Sequence, residues 1–338
     1  MRRLQKRQCF YLCSTLSIIF LVVYVFLHTD LAKKKTSSAS ESMPKMDPEF
    51  FGLGLPKSVP KARSRPPPPF IPQLHVKTLP QPKVTWNMTE KEAEENFFKY
   101  LENKDVRCNN DVRLGHPHDG GWNVCLSPPF SLLKPCVVMS FGIGRDWQFD
   151  DAVGKIYGCR VLAYDPSIAE MSGKRSSLIE FKRIGIGPRN EENTAGWKMK
   201  TLGTLIEEEG LAGQPINYVK IDIEYSEWDV LKAIYKEGSL RNVQQIGFEM
   251  HTKELFKVSK IDMPTDKRDF VRMYQLLRPL EEKFNFRKFN YRRNPFGDYK
   301  SNITGKSRSC CYEMHYVNMN LVNKSHEILH KRDSKLFH

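Results

Sequence analysis

The chain has 338 residues, a formal net charge of +14 and 40% apolar residues. That is enough length and apolar content for one or two folded domains. The charge is unevenly placed. Residues 1–85 carry fourteen Lys and Arg against four Asp and Glu, while the remaining residues carry 39 against 35. A nucleic-acid site would set a basic patch on the folded region, so no nucleic-acid partner is expected.

Residues 1–8 form a short basic tail. From Cys9 to Leu27 the sequence CFYLCSTLSIIFLVVYVFL has no charge. Its 19 residues suffice to cross a hydrocarbon core of roughly 30 Å. The run exceeds the apolar core of a cleaved signal peptide, and no small-x-small cleavage site follows it. The expectation is a signal-anchor helix over 9–27 whose partner is the lipid bilayer. The basic flanks favour a cytosolic N-terminus slightly. Sequons at Asn87, Asn302 and Asn323 suit glycosylation on a lumenal or extracellular surface. Six cysteines beyond the helix suit disulfides in an oxidising compartment; buried free thiols are the alternative at Cys136 and Cys159. The chain thus reads as a single-pass type II membrane protein of the secretory pathway with a lumenal or extracellular domain, the Golgi being one candidate membrane. Secretion after signal cleavage is the alternative.

Residues 28–85 read as a stem. Eleven prolines between Pro44 and Pro82 keep it extended and unable to pack a core. The folded region is expected over 86–338. Thr89 and Glu92 have capping-box spacing, followed by Ala93, Phe97, Tyr100 and Leu101 on one helical face. Strand and helix signals then alternate. Strands are expected at CVVMSF, CRVLAY, LIEFKRIGI, INYVKIDI and VQQIGFEM. Helices are expected over Trp147–Tyr157, at TLGTLIEEE, after a Ser226 or Asp229 cap, and over 266–282. This predicts an α/β fold with a mostly parallel sheet and helices on both faces. FNFRKFNY and CCYEMHYVNM follow as a terminal antiparallel hairpin, with Asn302 in the connection.

Four stretches carry chemistry. Ser140-Phe141-Gly142-Ile143-Gly144 ends the first strand, where glycines permit a sharp turn and close ligand approach. Trp147 stands where a dinucleotide fingerprint needs its third glycine, which disfavours NAD or FAD. Asp165 ends the second strand, 21 residues after Gly144, where a carboxylate can accept from both ribose hydroxyls of a nucleoside. Lys220, Asp222 and Glu224 alternate along a strand that should be apolar; an internal ion pair is the plain reading and a ligand cleft the sharper one. Glu249 and His251 close the fifth strand. His251 or Asp222 could take a proton from an acceptor hydroxyl, with Glu249 beside them. Asp222, Glu224, Glu249 and His251 could also gather a divalent cation, but no known ligand spacing is present and no metal is expected.

With these stretches in place, the sequence resembles the methyltransferase-like protein 24 family. The matching segments are Asp119-Gly-Gly-Trp122, CVVMSFGIGRDWQFDDAV, VLAYDPS, VKIDIEYSEWDVL and QIGFEMH. The segment from KTLGTLIEEE to VKIDIEYSEWDVL is also similar to FkbM-type O-methyltransferases, although Tyr225 stands where that pattern has glycine. The resemblance implies a class I, Rossmann-like methyltransferase fold. It places S-adenosylmethionine at Ser140, Phe141, Gly142, Gly144 and Asp165, with Asp222 at its methionine end. It implies O-methyl transfer to an acceptor the sequence does not identify. Two other functions suit the architecture: a Golgi-type glycosyltransferase, although no Asp-x-Asp occurs, and a methyltransferase fold that binds without turnover.

Overall fold

The computed structural model describes residues 81–169, 172–259 and 264–322. The expected tail, membrane helix and most of the stem, together with Asn323, lie outside these residues. Among the described residues no helix is long and apolar enough to cross a membrane.

Eight strands form the main sheet: β1 (Val137–Phe141), β2 (Arg160–Tyr164), β3 (Gly173–Lys174), β4 (Ile179–Lys182), β5 (Tyr218–Ile221), β6 (Gln245–His251), β7 (Phe286–Arg293) and β8 (Cys311–Asn318). Their spatial order is β7-β8-β6-β5-β1-β2-β4-β3. Strands β4, β2, β1, β5 and β6 run parallel, and β8 is antiparallel to both β6 and β7. The sheet is therefore mixed but mostly parallel, as expected. The final pair is antiparallel too, with one difference: β8 inserts between β6 and β7 instead of adding at the edge.

Period-two alternation explains the layers. In β1, β2 and β5 successive residues enter different cores: Val138 and Met139, Val161 and Leu162, Tyr218 and Val219. One face carries four helices: α1 (Glu90–Leu101), α3 (Leu202–Glu208), α4 (Glu227–Glu237) and α5 (Lys267–Glu282). Thr89 and Glu92 form the expected capping box on α1, and Asp266 and Asp269 form another on α5. The two helices meet through Phe97 against Phe270, ring centres 5.4 Å apart, and Tyr100 against Tyr274 at 5.0 Å. The opposite face is covered differently. It holds α2 (Gln148–Ala152), a π turn over Val153–Tyr157, and an antiparallel hairpin of Asp111–Leu114 and Trp122–Cys125.

Several expected elements are shorter. The LIEFKRIGI strand breaks after Lys182; Gly185–Ile186 joins a separate three-stranded sheet with Glu191–Glu192 and Lys198–Lys200. Strand β5 stops at Ile221, so Asp222 and Glu224 lie beyond it. Ser226 occupies the N-cap of α4 without a capping side-chain bond. Val84, expected in the stem, is buried in the core. Disulfides join Cys108 to Cys125, Cys136 to Cys159 and Cys310 to Cys311.

Candidate active site

The chain leaves β1 toward β2 and β4 on one side, and later returns through β5 to β6 on the other. A topological switch point therefore lies between β1 and β5, where α/β sheets bind ligands beyond the carboxyl ends of their strands.

Ser140 and Phe141 end β1 fully buried, with Phe141 stacked on Tyr164 at 4.9 Å. Neither is therefore a free ligand-binding surface; both anchor the turn that follows. Gly142 adopts φ +73°, and a Cβ there would lie 1.6 Å from the carbonyl oxygen of Asp222. Only glycine lets the two strand ends approach so closely. Gly144 has φ +56°, but a Cβ there would meet open space. That space is a cleft of about 490 Å³, within the usual range for small-molecule sites. Its lining includes Gly142, Gly144, Asp165, Asp222 and Glu224, with Tyr164, Ile186, Trp197 and Met199 as apolar walls. A larger hollow of about 640 Å³, lined by Tyr235, Arg241 and Lys283, holds none of the expected site residues.

Asp165 sits where expected, but its carboxylate is already engaged. Oδ2 accepts from the amides of Ile143 and Gly144 at 2.8 and 2.9 Å. Oδ1 accepts from the Ser167 amide at 2.8 Å and the Ser167 hydroxyl at 2.6 Å. Burial opposes its charge, yet the bonds from Gly144, Ser167 and Ile143 outweigh burial and hold its pKa below the usual carboxylate value. Asp165 thus braces the glycine turn and offers its edge to the cleft. All four lone-pair positions are used, so a ribose must exchange with a protein donor.

Lys220 is buried and donates to the carbonyls of Phe141 and Gly142, with its ammonium 5.1 Å from the centre of the Trp122 ring. The expected internal ion pair is replaced by backbone acceptors. Asp222 is half-buried and faces the cleft. Burial pushes its pKa up, with Lys220 and His251 pulling the other way. Glu249 is buried and pushed up by burial and by Asp222. Glu224 turns outward at φ +53° with an exposed side chain.

Among the three expected catalytic residues, Asp222 alone lines the cleft; Glu249 and His251 stand behind it. His251 is 2% exposed, and its Nδ1 lies 3.2 Å from Oε1 of Glu227. Burial works against its charge, but the Glu227 hydrogen bond and the charges of Glu227, Glu249 and Asp222 raise its pKa to about 9. Nδ1 also lies 3.4 Å from the Tyr225 amide nitrogen. Of the two expected proton acceptors, Asp222 reaches the cleft lining and His251 does not.

Sequence reasoning missed Glu227, which also accepts from the Ile223 amide at 2.7 Å. It missed Ser167, although Asp-Pro-Ser is a turn signal. It also missed Ile186, Trp197 and Met199. These lie in or beside strands of two or three residues, too short to show alternation. Asp119, Gly120 and Trp122 of the recognised Asp-Gly-Gly-Trp segment line the same cleft.

A mostly parallel sheet with a glycine turn, an acidic second-strand end and a cleft at the switch point fits the α/β methyltransferases as a class. The profile of a methyltransferase domain family matches residues 73–317. The chain belongs to that family. It is 29% identical over 242 residues to the human protein called probable methyltransferase-like protein 24, a match covering 66% of this chain and 63% of that protein. The rat protein of the same name is 27% identical over 267 residues, covering 73% of this chain and 70% of its own. The match therefore spans just under two thirds of the human relative's length.

Proposed function

We propose that the domain binds S-adenosylmethionine in the cleft at the β1–β5 switch point and transfers its methyl group to an acceptor oxygen. One observation carries this reading: the glycine turn, Asp165 and Asp222 converge on one cleft from three adjacent strand ends. The residues fit such a donor. Gly144 leaves room where a side chain would intrude. Ile186, Trp197 and Met199 provide an apolar wall for a base, and Asp165 an acidic edge for a ribose. When bound, the sulfonium supplies an already activated methyl group. The chain's task is then alignment and exclusion of water. Asp222 takes the acceptor's proton, and His251, held by Glu227, stands behind it among the neighbouring carboxylates. Thermal unfolding of the full chain tests the reading. Adenosyl ligands should raise the melting temperature and UDP-sugars should not; the reverse would favour glycosyl transfer. Asp222→Asn should lose methyl transfer while its melting curve shows a folded chain.

A second reading is a methyltransferase fold that binds without turnover, since fold does not fix activity. Donor binding without any methyl transfer would support it.

We also infer a lumenal or extracellular domain behind a membrane anchor. Three disulfides support an oxidising compartment. Asn87 and Asn302 are exposed, as glycan acceptors must be. Treatment of the cell-expressed chain with an N-glycosidase should increase its gel mobility; unchanged mobility would count against this placement.

A further inference from the structure

We propose that Lys220 binds the carboxylate at the amino-acid end of the methyl donor, and so sets which adenosyl sulfonium the cleft accepts. This assignment rests on the donor reading above and adds the group that selects the donor. Five carboxylates line the cleft, those of Asp119, Asp146, Asp165, Asp222 and Glu224, and Lys220 is the one cation among the described residues that line it. S-adenosylmethionine carries a sulfonium, an ammonium and a single carboxylate. The acids suit its two positive groups, and only Lys220 offers its carboxylate an opposite charge.

The surroundings of Lys220 point the same way. Its side chain comes from the central strand β5, is buried, and donates to the carbonyl of Phe141 at 3.3 Å and to that of Gly142. An ammonium has three donors, and the third has no acceptor among the described residues. Asp150 and Asp222 feel its charge, yet neither forms an ion pair with it. A buried charge without a counter-ion is costly, and an incoming carboxylate offsets that cost. The Trp122 ring, which also lines the cleft, flanks the ammonium at 5.1 Å. Lys288 shows what bracing of carbonyls does by itself. It is equally buried and donates to the carbonyls of Tyr100 at 2.6 Å and Leu101 at 3.0 Å, where it closes the end of α1, but it does not line the cleft. Lys220 does the same for the glycine turn and also reaches the ligand space. Its two carbonyl bonds fix its position, so little side-chain freedom is lost when a ligand arrives.

The test compares two donors that differ in one group. S-adenosylmethionine and its decarboxylated form share the adenosine, the sulfonium and the ammonium. Their affinities are measured by calorimetry on the full chain, as wild type and as Lys220→Met, with folding checked by melting. General electrostatics predicts that an acid-lined cleft prefers the decarboxylated form, which carries the higher positive charge. Recognition by Lys220 predicts the opposite for the wild type, with S-adenosylmethionine bound at least about 10-fold tighter. Lys220→Met should reverse the order. It should weaken S-adenosylmethionine at least about 10-fold, while the decarboxylated form binds as before or better. Lys220→Arg, which keeps the charge, should restore the preference for S-adenosylmethionine. Equal loss of both ligands in Lys220→Met would show a bracing role only and overturn the proposal. So would a wild type that binds the two alike, a result that needs no variant to fold. Tighter binding of the decarboxylated form by the wild type would leave the donor cleft standing and strike the role of Lys220, whereas binding of neither form would strike both.

Discussion

Asp150 illustrates what a single buried charge does here. It lies in α2, is 1% exposed, and stands beside Ser140 and Lys220. Burial raises its pKa from 3.8 to about 6, more than Lys220 and Ser140 can offset. The folded chain then binds more protons than the unfolded chain between these two values, so stability falls as pH rises through that window. Above about pH 6 the loss is complete and amounts to roughly 3 kcal/mol. Asp150→Asn should therefore stabilise the protein by about that amount at neutral pH and by nearly nothing below pH 4. Melting curves at both pH values check this; a destabilised variant at neutral pH would contradict it. Residue-scale features were unevenly legible. The Gly142, Gly144 and Asp165 spacing could be read because backbone turns leave marks in sequence. Glu227 as the partner of His251 could not, because it comes from a different element and only the fold brings it there.

At the scale of elements, the two glycines of the turn make different demands. Gly142→Ala would drive a Cβ into the Asp222 carbonyl and also strain a positive φ. It should cost roughly 3–5 kcal/mol. Gly144→Ala meets only open cleft and should cost about 1–2 kcal/mol from backbone strain alone. Chemical denaturation of both variants tests the ranking, and equal losses would refute it. The long elements were legible because their periodicity is strong. Helix α1 announced its cap, and α5 its span. The insertion of β8 between β6 and β7 was not legible, since strand order depends on long-range pairing and leaves no local pattern. The break after Lys182 was hidden for a related reason. Arg183 to Ile186 continue an apolar–polar pattern while the backbone turns away into another small sheet.

At the scale of the whole molecule, covalent links and the cleft are the two features that decide behaviour. Cys108–Cys125 and Cys136–Cys159 close loops with sequence separations of 17 and 23. Loop-closure entropy assigns about 3 kcal/mol to each. Replacing Cys136 and Cys159 together by Ala should lower unfolding free energy by at least that amount, and an unchanged denaturation midpoint would show the link to be idle. The class of fold was legible from alternating elements, whereas which cysteines pair was not, because pairing is a property of the folded chain. The central claim is that the switch-point cleft holds the methyl donor. Its most direct test is calorimetric titration of the full chain with S-adenosylmethionine, with Asp165→Ala alongside and its folding checked by melting. The account predicts saturable binding at one site in the wild type and its loss in the folded variant. No heat at millimolar donor, or equal binding by both chains, would contradict it.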